Sequence, residues 1–386
     1  MEYFNHNNDG LVYINIAPSI EDVSSYFEKF FLSNHLGREK LEKSKEIWIK
    51  PNITGAELPE KGKTSQPLVL RELIDALLKF KSKDCIFVAD SSVVGCDTTN
   101  AAKESGIFAV CKEKGVTFVD LRNLDYKKVS VKNYHGIKEI DISSPFQEDD
   151  NFLINLAKLK STYGSPAGFT LKNAKGVISD KHKLKFHINS VQDCLCDLAV
   201  SLNWDISILE GFPTSELGVP NGVGPFGVSS SPILLDYLMC IIVGIDPTVV
   251  GHIDKLADTI QSRHDLMVSK EINELRLSCK PLIYSKNWLE KIAQENEIEI
   301  INGSPCSGCI ESFAKATKVF DSEKKKHISI LIGSKLERED LEKKISLCIG
   351  NCAISAFNSS KYKAIGCPPT IVSMKEEIVR TLNSEI

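Results

Sequence analysis

The sequence predicts an α/β protein with mainly parallel strands and crossover helices, followed by a second, smaller α/β domain that carries a cysteine cluster. Three observations predict it. From residue 47 onward, short β-branched runs alternate with amphipathic helical patterns, the spacing that crossover helices impose on parallel strands. A charged stretch around residues 262–280 interrupts that series, and a shorter series of the same kind follows it. Five of the twelve cysteines lie from residue 306 onward, each at or beside an expected strand-to-helix turn. The domain boundaries read from this are 1–280 and 281–386.

The elements follow in order. "IWIKPN" (47–52) reads as a strand ending in a loop, and "QPLVLRELIDALLKF" (66–80) as a helix with Pro67 near its start. "CIFVADSS" (85–92) is a second strand, "NAAKESGIFAVCKEKG" (100–115) a helix closed by Gly115, and "VTFVDL" (116–121) a third strand. Residues 126–145 alternate like a hairpin. "DNFLINLAKLK" (150–160) is a strand ending at a lysine pair, and 166–190 reads as a functional loop leading into the helix "SVQDCLCDLAVSL". "DISILEGF" is another strand, "GVPNGVGPFG" a glycine-rich loop, and "SPILLDYLMCIIVGI" a buried helix. "PTVVGHIDKLADTI" reads as helical too. In the second domain "EIEIING", "HISILIGS", "ISLCIG" and "YKAIG" are four short strands with helices between them, and "TIVSMKEEIVRTLN" closes the chain.

Composition narrows the class. A formal net charge of −4 with 25% charged residues gives no basic surplus for nucleic acid. The N-terminal residues lack the pattern of a signal peptide, and Asp236 and Asp246 interrupt the most apolar run, so no membrane span is expected. A cytoplasmic location follows as the expectation, and there thiols stay reduced. Seven cysteines are scattered among apolar neighbours, where a thiol behaves as a small hydrophobe.

The remaining five behave differently. In a parallel α/β layer the carboxyl ends of the strands open on one edge, so cysteines at three such ends converge. Cys306, Cys309, Cys352 and Cys367 each border a Gly or Pro turn and are the expected ligands, with Cys348, inside a strand, as the spare. One C-x-x-C knuckle followed by two single cysteines on separate turns suits a [4Fe–4S] cluster. Zinc and a redox-thiol system are the alternatives.

Lys50, Lys158, Lys160 and Lys172 lie at or near strand ends beside Asn52, Ser91, Asn173 and several glycines. Lysine is a compact cation with three donors, so this set is expected to bind a small anionic molecule. His187 is placed near the rim as a general acid or base. His182 and His187 with Asp90 or Asp97 could also suggest a mononuclear metal. The glycine-rich loop matches neither the Walker pattern nor the dinucleotide fingerprint.

The blocks "IWIKPNITG", "GKTSQPLVLRELIDAL", "FVADSS", "INLAKLKS", "FTLKNAKGVIS", "GVGPFG" and "SPILLDYLMCIIVGIDP" resemble, in order and spacing, the family called domain of unknown function 362. Members of that family are often described as iron–sulfur cluster-binding proteins, and the resemblance implies the same here. This chain departs from the pattern at Glu210, where Asp is usual. Ser161 and Thr162 replace a Thr-His pair, and Ser231 stands where Asp is common. The expected function is an oxidoreductase of anaerobic metabolism, passing electrons between the cluster and a small anionic substrate or cofactor, with an electron-transfer protein as a possible partner. The alternatives are a lyase, dehydratase or desulfurising enzyme using an open iron as Lewis acid, and an electron-relay subunit without chemistry of its own.

Overall fold

The computed structural model describes residues 2–162, 165–284, 288–303, 305, 307–317, 328–333, 335–336, 346–357 and 359–383. The chain divides into two compact units, Met1–Ser161 with Ala167–Ile283, and Thr162–Pro166 with Tyr284–Ile386.

Parallel strands form the centre of the larger unit. Its strands are β1 (Glu2–Asn7), β2 (Gly10–Asn15), β3 (Ile47–Pro51), β4 (Ile86–Asp90), β5 (Thr117–Asp120), and the separate hairpin β6 (Tyr126–Ser130) and β7 (Glu139–Ser143). β8 (Phe152–Lys160), β9 (Ile206–Glu216), β10 (Val219–Pro220) and β11 (Phe226–Ser229) follow. The main sheet runs β1-β2-β11-β9-β8-β3-β4-β5, with β10 paired to β9. The pairs from β9 to β5 are parallel, and the pairs from β1 to β9 are antiparallel. β3 leads outward to β4 and β5 on one side, whereas β8, on its other side, leads to β9. Strand order therefore reverses between β3 and β8.

Alternation along the strands feeds two cores. Ile47, Ile49, Ile86, Val88, Ile154 and Leu156 face the helices Val23–Ser33, Pro67–Leu77 and Ile107–Lys114. Trp48, Ala89 and Leu153 face the opposite side, with Phe146, Phe186, Leu195 and Trp204. Trp48 stacks on Phe87 with ring centroids 4.6 Å apart.

The structure corrects several expectations in this unit. The pattern at 100–115 is two helices, Thr98–Glu104 and Ile107–Lys114, because Gly106 takes φ +79 between them. The span 166–190 is largely helical: Thr170–Asn173, a 3-10 turn at Ala174–Val177, and Asp180–Ile188. The last has no clean apolar stripe, and Ser179 caps it by accepting from the His182 amide. The glycine-rich loop folds back along β9 as β10. Gly224 N–H donates to Gly211 O and Asn221 N–H to Thr214 O, so those amides are committed to backbone pairing. The charged stretch before 280 holds two helices, Arg263–Val268 and Lys270–Ser278.

The smaller unit is a parallel sheet, β12 (Glu299–Gly303), β13 (Ser329–Gly333), β14 (Ser346–Ile349) and β15 (Tyr362–Ala364), in that order. Phe313, Ile330, Ile332, Leu347, Ile349, Met374 and Ile378 pack on one face. Cys348 points to the other, with Leu331 and Ala353. Among the described residues, no helix is long and apolar enough to cross a membrane.

Candidate functional site

The carboxyl ends of β3, β4 and β8 carry a buried polar network at the point where strand order reverses, the place where open α/β sheets take ligands. Lys50, near the end of β3, sends its ammonium to Asp90 Oδ1 at 2.9 Å, Asn173 Oδ1 at 2.8 Å and Pro51 O at 2.8 Å. Asp90 ends β4 and also accepts from the amides of Ile53 and Ser91. Lys50 and Asp90 are both 2% exposed, and burial pulls the lysine's pKa down against the opposing pull of Asp90. Gly176 lies directly over the pair. A Cβ there would stand 2.2 Å from Asp90 Oδ1 and 2.3 Å from Lys50 Cε.

Asn173 ties the network together. Its Oδ1 accepts from Lys50 and from Asn52 Nδ2, and its Nδ2 donates to Asn155 Oδ1 at 2.7 Å. Asn155 in turn donates to Thr170 O. Lys160, the last residue of β8 and half-buried, donates to Asn52 Oδ1 at 2.7 Å, Thr54 Oγ1 at 3.0 Å and Lys63 O at 2.7 Å. Burial first, then the charges of Lys172, Lys50, Lys158 and Lys63, push its pKa down to about 7. Lys158, two residues earlier, is fully buried against Glu210, with contacts of 2.9 and 3.0 Å. Burial drives the Lys158 pKa down and the Glu210 pKa up, each opposed by the partner's charge.

The sequence reading gathers these lysines around an anion. The structure brings Lys50, Asn52, Lys160 and Asn173 into one bonded network, and Lys172 into electrostatic reach of Lys160. It also supplies two of the cations with the chain's own carboxylates. Asp90 balances Lys50 and Glu210 balances Lys158, because neither ammonium could be buried this deeply without a countercharge. Lys160 differs from both: among the described residues its ammonium contacts three neutral oxygens and no carboxylate.

The other candidates lie elsewhere in the unit. Ser91 Oγ donates to Gly176 O, and both its oxygens accept from Lys183. His187 Nε2 is 2.7 Å from Lys175 Nζ, and its buried Nδ1 has no hydrogen-bond partner among the described residues. His182 pairs through Nδ1 with Asp141 at 3.1 Å, and Asp97 caps the helix Thr98–Glu104 by accepting from the Asn100 amide.

Sequence reasoning missed Lys183, which is paired with Asp180, and Asp236. Asp236 is fully buried and accepts from the Thr170 amide, the Thr170 hydroxyl and the Leu171 amide. Burial pushes its pKa up to about 7. A charge inside the run "SPILLDYLMCII" is the signal that could have marked it.

In the smaller unit the first turns of the helices Ser307–Ala316 and Gly350–Ala356, which hold Cys309 and Cys352, meet the loop that holds Cys367. Gly350, at φ +85 before Cys352, comes so near Cys309 that a Cβ would stand 3.0 Å from Sγ. The Asn351 amide donates to Gly366 O, and the Gly366 amide to Asn351 Oδ1, tying the turn of Cys352 to that of Cys367. Pro368 packs where a Cβ on Gly308 would fall, at 3.3 Å. Cys309 is buried, Cys352 half-buried and Cys367 exposed, and Cys306 lies outside the described residues. Cys348 is buried, with Sγ 3.6 Å from Phe357 O, and burial raises its pKa. Thiols on converging glycine turns are the donor set that a sulfur-ligated iron centre uses. Among the described residues, no three His, Cys, Asp or Glu side chains stand close enough together to hold a metal ion.

Residues 47–246 match the protein family described as Domain of unknown function (DUF362). The network lies within that stretch and the clustered cysteines lie outside it. The thylakoid-associated protein sll1697 of Synechocystis sp. is 24% identical over 215 residues, 53% of this chain and 64% of that protein. The match thus spans less than two-thirds of the relative's length. No solved structure matches the chain.

Proposed function

The chain belongs to the DUF362 family, and from that premise we propose that it is an iron–sulfur oxidoreductase acting on a small anionic substrate or cofactor. Cys306, Cys309, Cys352 and Cys367 hold a [4Fe–4S] cluster in the smaller unit. The network at the ends of β3 and β8 binds the anion in the larger one.

The observation that supports the reading is the meeting of three cysteine-bearing segments, with Gly350 against Cys309 Sγ, Gly308 against Pro368 and Gly366 hydrogen-bonded to Asn351. Four thiolates would fill the coordination of such a cluster, and the bound group would supply one-electron transfer. The chain's own residues do the rest. Lys160, whose ammonium contacts three neutral oxygens and no carboxylate among the described residues, draws the anion. The paired charges Lys50–Asp90 and Lys158–Glu210 and the Asn52–Asn173 link hold the binding surface rigid, so it needs no reorganisation when the ligand arrives. An electron-transfer protein is the expected redox partner.

Serine replacements test the assignment. Cys306→Ser, Cys309→Ser, Cys352→Ser and Cys367→Ser, each purified anaerobically, should lose most of their iron, while Cys348→Ser keeps it. Loss at Cys348 with retention at Cys352 would overturn the ligand set. Iron indifferent to all five changes would overturn the cluster itself.

A further inference from the structure

The three described cysteines of the proposed ligand set differ in how far water reaches them. Cys309 is 7% exposed and belongs to the core with Ile310, Phe313 and Ile349, and Gly350 lies against its sulfur. Cys352 is half-buried. Cys367 is exposed, between Ile365, which is 68% exposed, and Pro368, which is exposed too.

The backbone that carries Cys367 is nonetheless held. On one side Gly366 exchanges two hydrogen bonds with Asn351, each of 2.9 Å. On the other, Pro368 packs against Gly308, and Pro369 is buried. A solvent-facing sulfur on such a backbone can swing aside by rotation about χ1 alone, whereas Cys309 could move only by disturbing the close-packed core around it. The charges of the segment also permit an approach from solution. Residues 346–374 contain no Asp or Glu, and Lys361 and Lys363 are their only charged residues. Glu311, on the helix that bears Cys309, is bonded to Lys315 at 2.6 Å. An incoming thiolate thus meets no carboxylate from this segment, and Ile365 and Pro368 offer apolar surface to its hydrocarbon part.

We propose that Cys367 is the exchangeable ligand of the cluster, and that a small organic thiol from solution takes its place on iron. This rests on the cluster proposed above and assigns the edge at which it takes up a ligand. The incoming thiol gives up its proton, and its sulfur bonds to iron as the bond from iron to Cys367 Sγ breaks. Sγ takes up the proton. Thiol plus cysteine-bound iron gives thiol-bound iron plus cysteine thiol, and no electron is gained or lost. Sulfur replaces sulfur, so the donor set keeps its softness.

Alkylation of the whole protein tests this. After anaerobic incubation with thiophenol and removal of the excess by desalting, iodoacetamide should label Cys367 at least about tenfold more than in protein without thiophenol. Iron per chain and the labelling of Cys309 and Cys352 should not change. No rise at Cys367, a parallel rise at Cys309 or Cys352, or a rise matched by loss of iron overturns the proposal. A pair of variants gives a second reading. Cys367→Gly, reconstituted with iron and sulfide, should regain about four irons per chain when 2-mercaptoethanol is present, and Cys352→Gly should not. Equal recovery in the two, or none in Cys367→Gly, also overturns it. Native protein that holds iron and labile sulfide but keeps an inert Cys367 removes only this inference. Protein with neither iron nor labile sulfide removes the cluster, and this inference with it.

Discussion

Replacing Asp90 by Ala probes the element on which the larger unit's site is built. The substitution leaves the Lys50 ammonium at 2% exposure with only Asn173 Oδ1 and Pro51 O as partners. It also removes the carboxylate acceptor of the Ile53 and Ser91 amides. Breaking a buried ion pair from one side costs about 3–5 kcal/mol, because the surviving charge stays desolvated. Removing the charge as well, in Asp90→Ala/Lys50→Met, should restore roughly 1–3 kcal/mol, since apolar replacement of a buried pair is often close to neutral. Urea unfolding followed through Trp48 and Trp204, both in the larger unit's core, reads these differences. A cost below about 1 kcal/mol for Asp90→Ala, or a double variant whose loss is the sum of the two singles, would refute the claim that Lys50 is held by this countercharge.

Three further outcomes follow from the same geometry. Gly176→Ala should destabilise the larger unit by about 1–3 kcal/mol in the same assay, because its Cβ would displace Lys50 and Asp90; an unchanged midpoint would contradict the packing. Asp236 has its folded pKa raised to about 7, so its contribution to stability is full below the unfolded value of 3.8 and is lost as pH rises through 7. The stability of the native protein relative to Asp236→Asn should therefore fall between pH 4 and 7 by up to about 1.4 kcal/mol per unit, and a flat difference would rule out the raised pKa. Glu210→Leu should cost about 3–5 kcal/mol by stranding Lys158, while Lys158→Met/Glu210→Leu should cost less; equal losses would show that the pair is not coupled.

Much of this site was legible because strand ends announce themselves. "IWIKPN", "FVADSS" and "LAKLK" each pass from a β-branched run to polar residues, and parallel pairing then brings Lys50, Asp90 and Lys160 to one edge. What could not be read was which cation meets which carboxylate. Lys158 finds Glu210 only through the register of β8 against β9, and Lys183 reaches Ser91 only through a helix whose apolar pattern is too weak to be read. The antiparallel edge was equally hidden. "EYFNHN" is too polar to read as a strand, and it is fixed by pairing with β2, which in turn pairs with the distant β11. Gly106 shows the opposite failure, where apolar periodicity ran through a position whose backbone ends one helix and begins another. In the smaller unit the turns that bear Cys309, Cys352 and Cys367 were legible from their glycines and prolines. Chain spacing, however, carries no information on how near one sulfur lies to another.

The central claim is the cysteine-bound cluster, and the most direct test is metal and sulfide analysis of anaerobically purified protein, with EPR before and after dithionite. Brown protein with about four irons and four acid-labile sulfides per chain, and a signal that appears on reduction, is the expected result. Stoichiometric zinc with no labile sulfide would contradict it.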